Sequence, residues 1–171
     1  MTDMKKAFDL ALQTEDEGYR LYTEALKKST HPLGREILVF LANEELKHTR
    51  IIKRITVKLA AGRPFDRADI DSDAMKGETI FTAALKNPDA RLKGGQNDLD
   101  VLQAGVRFET DGIAYFAEAA SKAVNPEEKK FFETMAREER AHKRLLESSI
   151  EYLENPQGWF DRDSRIILDG A

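Results

Sequence analysis

The sequence predicts an all-α protein that folds as a four-helix bundle. Three observations indicate this fold. Four long stretches contain no internal proline, their apolar residues recur every three or four positions, and two short breaks and one long break separate them. Two antiparallel helical hairpins joined by a long crossover satisfy all three. We expect one domain over residues 1–171, because a chain of this length buries one good core.

Candidate caps and prolines set the predicted limits of the helices. Pro32 and Pro126 suit a first helical turn, and the candidate N-caps are Thr2 or Asp3, Asn97 or Asp98, and Asn125. The predicted helices span about residues 3–29, 33–61, 98–124 and 126–154. The short breaks predict antiparallel hairpins, because a few residues cannot return the chain to the far end of a long helix.

The connection over residues 62–97 is long enough to run the length of the bundle. We expect a short helix within it, near residues 77–85. Two hairpins linked by one long crossover form the ferritin-like arrangement. The tail, residues 155–171, holds the only tryptophan, Trp159, which we expect to pack on the bundle end or on another subunit.

Composition excludes several classes of function. A net charge of −4 gives no basic field for binding nucleic acid or an anionic membrane. No segment approaches the ~20 apolar residues of a membrane span, and the N-terminus has no apolar run of signal length, so we expect a cytoplasmic protein. The chain has no cysteine, so a metal would have to be held by oxygen and imidazole ligands.

An internal repeat relates the two halves of the chain. LANEELKHTRII (Leu41–Ile52) resembles MAREERAHKRLL (Met135–Leu146), and TEDEGYRLYTEA (Thr14–Ala25) resembles FETDGIAYFAEA (Phe108–Ala119), both at a spacing of 94 residues. In this register three residues of the first half correspond to three of the second: Glu15, Glu45 and His48 to Glu109, Glu139 and His142.

These six residues lie where the helical periodicity predicts buried positions, at the middle of each helix. Burying four unpaired carboxylates is costly, and two divalent cations would neutralise them. The spacing of Glu45 and His48, and of Glu139 and His142, puts a carboxylate and an imidazole on one helix face. One Glu from each of two helices and Glu-x-x-His from each of the other two is the two-metal pattern of ferritin-like proteins.

The predicted roles follow from this pattern. We assign Glu45 and Glu139 as bridging ligands, Glu15 and Glu109 as terminal ligands, and His48 and His142 as one imidazole for each metal. Oxygen and imidazole ligands suit iron or manganese, and zinc is a candidate in purified samples because intrinsic affinity favours it. We expect two iron ions, with manganese as the alternative.

Several residues other than the six candidate ligands have two possible roles each. Tyr22 is a candidate to donate a hydrogen bond to a ligand carboxylate, or is simply a core tyrosine. Gly18 and Gly112 open space for a small oxidant, or allow close helix packing. His31 is expected in a capping or surface role. Five other glutamates are expected to be solvated surface charges: Glu17, Glu24, Glu44, Glu118 and Glu138.

The two Glu-x-x-His pairs and the long crossover resemble the rubrerythrin branch of the ferritin-like superfamily. So do Glu15 and Glu109, each followed by a glycine three residues on and an aromatic residue seven on. The resemblance covers about residues 3–154. It implies a non-haem di-iron peroxidase that reduces hydrogen peroxide in oxidative-stress defence, and a homodimer that could exchange hairpins through the crossover.

The sequence departs from the rubrerythrin pattern in two respects. It has none of the four cysteines of a rubredoxin centre, so electrons would have to come from a separate donor protein such as a rubredoxin. Gly112 stands where rubrerythrins carry an additional ligand carboxylate, which leaves a more symmetric set of six ligands. Three other functions therefore stay open: a ferroxidase or iron-storage protein that reacts with oxygen, a manganese catalase, and a non-enzymatic scaffold or sensor stabilised by metal.

Overall fold

Four long helices dominate the computed structural model, which describes residues 3–70 and 93–159. Helices α1 (Asp3–Lys28) and α2 (Pro32–Ala60) are followed by the short α3 (Arg67–Ile70), and α4 (Gln96–Lys122) and α5 (Pro126–Glu154) complete the bundle. No strand occurs in the two described ranges. The predicted all-α, ferritin-like bundle is confirmed. A single domain over all 171 residues stays a prediction.

The helices pair as two hairpins. Helix α1 packs mainly against α2, and α4 mainly against α5, while α1 also contacts α4 and α2 meets α5 more sparsely. Asn125 caps α5 as predicted, because its side chain accepts hydrogen bonds from the backbone N–H groups of Glu127 and Glu128. Each hairpin turn is short, so the two helices of a pair run antiparallel.

Only the ends of the crossover and the start of the tail are described. Phe65 and Ile70, before and within α3, are buried against the bundle. The helix predicted near residues 77–85 lies outside the described residues, as does the tail from residue 160. The ring of Trp159 packs edge-to-face on Tyr152 at 5.5 Å, so the predicted packing of this residue on the bundle is confirmed.

Two apolar clusters fill the core, one on each side of a polar middle layer. One contains Tyr22, Leu41, Leu102 and Tyr152, and the other contains Phe8, Ile55, Phe116 and Phe132. Each long helix contributes apolar residues to both clusters. The middle of every helix therefore faces a layer from which apolar side chains on both sides exclude water.

The start of α4 differs from the prediction. Gly95 is the N-cap, and Asp98 lies in the first turn, where it accepts a hydrogen bond from the Gly95 N–H at 3.3 Å. The buried Asp98 carboxylate also accepts from the Ser29 hydroxyl at 2.8 Å and from the N–H groups of Thr30 and His31 at 2.8 and 3.0 Å. Burial alone would raise the pKa of Asp98, but these hydrogen bonds lower it. Asp98 thus ties the first hairpin turn to α4.

His31 occupies the N-cap position of α2, but its side chain makes no capping hydrogen bond. The residue is only 5% exposed. The expected surface role is therefore wrong, because the turn that holds His31 is covered by the start of α4. No helix of the described residues is long and apolar enough to cross a bilayer.

Candidate metal centre

The six residues predicted as metal ligands converge at the middle of the bundle. Each comes from the inward face of a long helix: Glu15 from α1, Glu45 and His48 from α2, Glu109 from α4, and Glu139 and His142 from α5. None is more than 4% exposed. The buried positions predicted from the helical period are thus the positions that the structure brings together.

The candidate ligand atoms form two overlapping groups. Glu15, His48 and Glu139 make one group, and Glu45, Glu109, Glu139 and His142 make the other, with the ligand atoms of each within 4.8 Å of one another. Glu139 belongs to both groups, as a bridging carboxylate would. Glu15 and Glu109 fall in different groups, each beside a different histidine. Glu45 falls in the second group alone, and all six ligand roles stay predictions.

Both histidines present Nδ1 to the carboxylates. His48 Nδ1 lies 2.9 Å from Glu15 Oε2 and 3.6 Å from Glu139 Oε1. His142 Nδ1 lies 3.2 Å from Glu139 Oε2 and 3.6 Å from Glu45 Oε1. The two rings stack with their centroids 5.6 Å apart. Nδ1 is therefore the ring nitrogen of each histidine that faces the carboxylates.

The glutamates repel one another in a medium of low polarity. Burial, followed by the charges of Glu15, Glu139 and Glu109, raises the pKa of Glu45 well above its ordinary value. Burial and then the charge of Glu139 raise the pKa of Glu109 in the same way. Burial followed by the charge of Glu15 raises the pKa of Glu139 to about 7. Without cations, the cluster takes up protons to reduce its negative charge.

The two histidines differ in their electrostatic environment. Burial lowers the pKa of His48, but the charge and hydrogen bond of Glu15 outweigh it and raise the pKa to about 9. Burial dominates at His142, where the pKa lies below its ordinary value although the charge of Glu109 opposes the shift. A protonated His48 therefore balances part of the carboxylate charge when protons are the only cations present.

The donor set fits a pair of metal ions. Glu45 Oε1, Glu109 Oε2 and Glu139 Oε1 are buried and have no hydrogen-bond partner among the described residues. A buried acceptor left without a partner costs about 1–3 kcal/mol. Coordinated cations would satisfy these oxygens and neutralise the cluster, and a set of carboxylate and imidazole ligands suits iron or manganese.

Comparison with known families agrees with this site. A model of the rubrerythrin family matches residues 100–166, which include Glu109, Glu139 and His142. This part of the chain is similar to rubrerythrins. The resemblance predicted from the sequence motifs is confirmed, and the buried carboxylates and histidines indicate a metal-binding protein. No curated protein and no solved structure matches the chain significantly.

Tyr22 contacts the candidate site directly. Its fully buried hydroxyl donates a hydrogen bond to Glu109 Oε1. Burial and then the charge of Glu109 raise the pKa of Tyr22, so the hydroxyl keeps its proton. The hydrogen bond to a ligand carboxylate that the sequence analysis offered for Tyr22 is therefore present. Its acceptor lies on α4 and is reached across the bundle.

The two glycines beside the site are not equivalent. A Cβ atom at Gly18 would lie 2.8 Å from both Glu45 Oε2 and Phe108 Cε1, so Gly18 allows close packing against the site. A Cβ atom at Gly112 would meet only Glu139 Cγ, at 3.7 Å, which is an ordinary contact. A methyl group would thus fit at Gly112 and would clash at Gly18.

Sequence reasoning misplaced Glu44, which is 5% exposed and not a solvated surface charge. Its carboxylate pairs with Lys47 Nζ at 2.5 Å. Glu44 and Lys47 carry opposite charges three residues apart on one helix, so the sequence alone could have predicted that they pair. Glu138, the counterpart of Glu44 in the repeat, has 18% of its side chain exposed and pairs with Arg137.

Proposed function

We propose that the chain is a non-haem di-iron oxidoreductase that reduces hydrogen peroxide to water. The observation that carries the proposal is the buried set of four carboxylates and two imidazoles, in which Glu139 is shared between two ligand groups. Such a set neutralises two divalent cations at a fixed separation. Two bound ferrous ions would supply the two electrons that, with two protons, convert hydrogen peroxide into two water molecules.

The residues of the chain have separable tasks in this proposal. Glu15 and His48 would hold one ion, and Glu109 and His142 would hold the other. Glu139 belongs to both ligand groups and Glu45 to the second, and both are proposed as ligands that the two ions would share. The Tyr22 hydroxyl orients Glu109 by donating to its Oε1. The apolar clusters above and below the layer restrict the entry of water.

The packing beside Gly112 is looser than beside Gly18, because a Cβ atom at Gly112 would meet Glu139 at an ordinary contact distance of 3.7 Å. At Gly18, Glu45 and Phe108 leave no room for a Cβ atom. We therefore assign the approach of hydrogen peroxide to the α4 side of the site.

We propose that electrons reach the site from another protein. The 171 residues contain no cysteine and hence no rubredoxin iron site of their own. We propose a separate small electron carrier, such as a rubredoxin, as the donor. We also propose a homodimer as the functional assembly, on the resemblance to rubrerythrins, with hairpin exchange through the crossover as its variant form.

Stopped-flow mixing of the iron(II)-loaded protein tests the reaction. We expect fast oxidation by hydrogen peroxide and slow oxidation by oxygen, followed at the iron(III) absorbance. The Glu15→Gln variant should lose the fast phase, because it removes a ligand carboxylate. The matched control Glu17→Gln, two residues away on the exposed face of α1, should keep it.

Other outcomes of this experiment assign other functions. Oxygen-driven uptake of many iron ions per chain would indicate a ferroxidase or storage protein. Disproportionation of peroxide by the manganese-loaded protein without a reductant would indicate a catalase. Metal binding without reaction toward either oxidant would indicate a scaffold or sensor.

A further inference from the structure

The exposed face of α2 carries positive charge on a chain whose net charge is −4. From Asn43 to the end of the helix, every charged side chain that α2 exposes fully or in part is basic. Lys47 pairs with Glu44, and Arg54 and Lys58 pair with Asp69 of α3. Arg50 and Lys53 have no ion pair within the described part of the chain. Their charges are therefore available to a partner.

A pocket of about 640 Å³ borders the start of this basic face and is lined mainly by residues 35–50 of α2. Val39, Phe40 and Leu46 supply apolar walls, and Val39 is 43% exposed. The rim carries Arg35, Lys47 and Arg50. Two acids, Glu36 and Glu44, also line it. Lys47 and Glu44 neutralise each other, which leaves Arg35 and Arg50 against Glu36. An apolar centre with an arginine-rich rim is typical of a protein interface.

Other surface pockets of the bundle have the opposite charge. In a pocket of about 490 Å³ between α1 and α4, Glu24 and Asp100 outnumber Lys28. In one of about 320 Å³ between α4 and α5, Glu147, Glu151 and Glu154 outnumber Arg107. A negatively charged partner is therefore drawn to the α2 pocket and repelled from these two.

The α2 pocket is also close to the candidate metal centre. Phe40 lines the pocket, and its ring stands edge-on to the ring of His142 with the centroids 6.3 Å apart. Phe40 is 7% exposed, so one aromatic ring separates the pocket from a predicted ligand. Because electron transfer slows steeply with distance, a donor gains from docking where so little protein intervenes.

We infer that the pocket around Phe40, with its basic rim, is the docking surface for an acidic electron-carrier protein that reduces the metal centre. This inference rests on the proposed function, because it requires a redox-active centre behind His142. Beyond the proposed function, it specifies where the electron carrier docks, the sign of the carrier's charge and the point at which electrons enter the protein. Arg50 acts here as a docking residue and touches neither a metal ion nor the oxidant.

The internal repeat supplies a matched pair of variants. Arg50 lies two residues after His48, and Arg144 lies two residues after His142. Both arginines are exposed, and neither forms an ion pair with another described residue. The substitutions Arg50→Glu and Arg144→Glu therefore change the net charge by the same amount. Only Arg50→Glu changes the charge beside the α2 pocket. Arg35 is unsuitable, because it also bonds the backbone carbonyls of Leu26 and Ser29.

The first measurement is the dissociation constant of the metal-loaded protein for a rubredoxin of net negative charge, obtained by titration calorimetry at low ionic strength. We expect Arg50→Glu to weaken binding about tenfold and Arg144→Glu to change it by less than about twofold. Added salt should weaken wild-type binding. This readout requires no peroxide and no turnover, so it is separate from the test of the proposed function.

The second measurement is the rate at which the reduced rubredoxin reduces the iron(III)-loaded protein. The rate should fall about tenfold in Arg50→Glu, while reduction by dithionite should stay unchanged in both variants. Three results would overturn the inference: equal effects of the two substitutions, no binding of the acidic carrier to the wild type, or dissociation of a dimer by Arg50→Glu in sedimentation, which would assign the surface to a second copy of the chain.

Discussion

Tyr22 on α1 donates a hydrogen bond to Oε1 of Glu109 on α4, and this bond links the two hairpins at the candidate metal centre. It connects a side chain of the first hairpin with a predicted terminal ligand of the second. The centre therefore depends on how the hairpins pack, as well as on the ligand motifs within each hairpin.

Replacing Tyr22 by phenylalanine should separate orientation of Glu109 from metal binding. The fully buried ring is kept, and one hydrogen bond to a carboxylate is lost, so we expect a loss of about 1–2 kcal/mol in the free energy of unfolding. Metal content should stay unchanged, and the reaction with peroxide should slow about tenfold or more. Tyr19→Phe, at a 38% exposed tyrosine of the same helix, is the control. An unchanged reaction rate in Tyr22→Phe would refute the orienting role.

The two glycines of the repeat should respond oppositely to alanine. Gly18→Ala brings a methyl group to 2.8 Å from Glu45 Oε2 and Phe108 Cε1, so we expect destabilisation by about 1–3 kcal/mol. Gly112→Ala has room, and helix propensity should stabilise it by up to about 1 kcal/mol. Urea unfolding of the metal-free variants measures both. Equal effects would contradict the difference in space. If peroxide approaches beside Gly112, Gly112→Ala should also slow its reaction.

The metal-free protein should lose stability as the pH rises. The pKa of His48 is raised from 6.5 to about 9, so the stability it contributes is fully present below pH 6.5 and is lost as the pH rises through about 9. The raised pKa of Glu139, about 7, acts in the same direction at lower pH. The lowered pKa of His142 opposes them only below pH 6.5, where the unfolded chain takes up the proton.

Thermal unfolding with and without manganese checks this pH dependence. Between pH 6.5 and about 9 we expect the metal-free protein to lose on the order of 2 kcal/mol. The loaded protein should gain stability over the same range, because cations compete with protons for the same ligand atoms. If the stability of both forms changed with pH in the same way, the cations would not be replacing the protons bound to His48 and Glu139.

Much of the bundle could be predicted, because the residues that set the ends of each helix lie within or beside that helix. The ends of the four helices fall within two residues of their predicted positions, since prolines and the cap at Asn125 act on their own helices. The predicted N-cap of α4 was wrong, because Gly95 takes this position and Asp98 lies in the first turn. The bonds from Asp98 to the turn that holds Ser29 and His31 could not be predicted, because partners 67 to 69 positions away leave no local signal.

In the candidate site, too, local sequence predicts some features, and contacts between distant residues set others. The six ligand positions follow from the helical period and the repeat, which fix the inward face of each helix. The partner of Tyr22 could not be predicted, because it depends on the packing of α1 against α4. Burial of Glu44 was missed because it needs Lys47 to cover the carboxylate on the surface of α2.

Metal content of the Glu139→Gln variant tests the central claim most directly. Glu139 is the residue shared by both ligand groups, and glutamine keeps its size while removing its charge. We expect about two ions per wild-type chain after dialysis, about two in the control Glu138→Gln, and a clear loss in Glu139→Gln. Elemental analysis that finds two ions retained in Glu139→Gln, with unchanged affinity, would contradict a shared-carboxylate centre at the middle of this bundle.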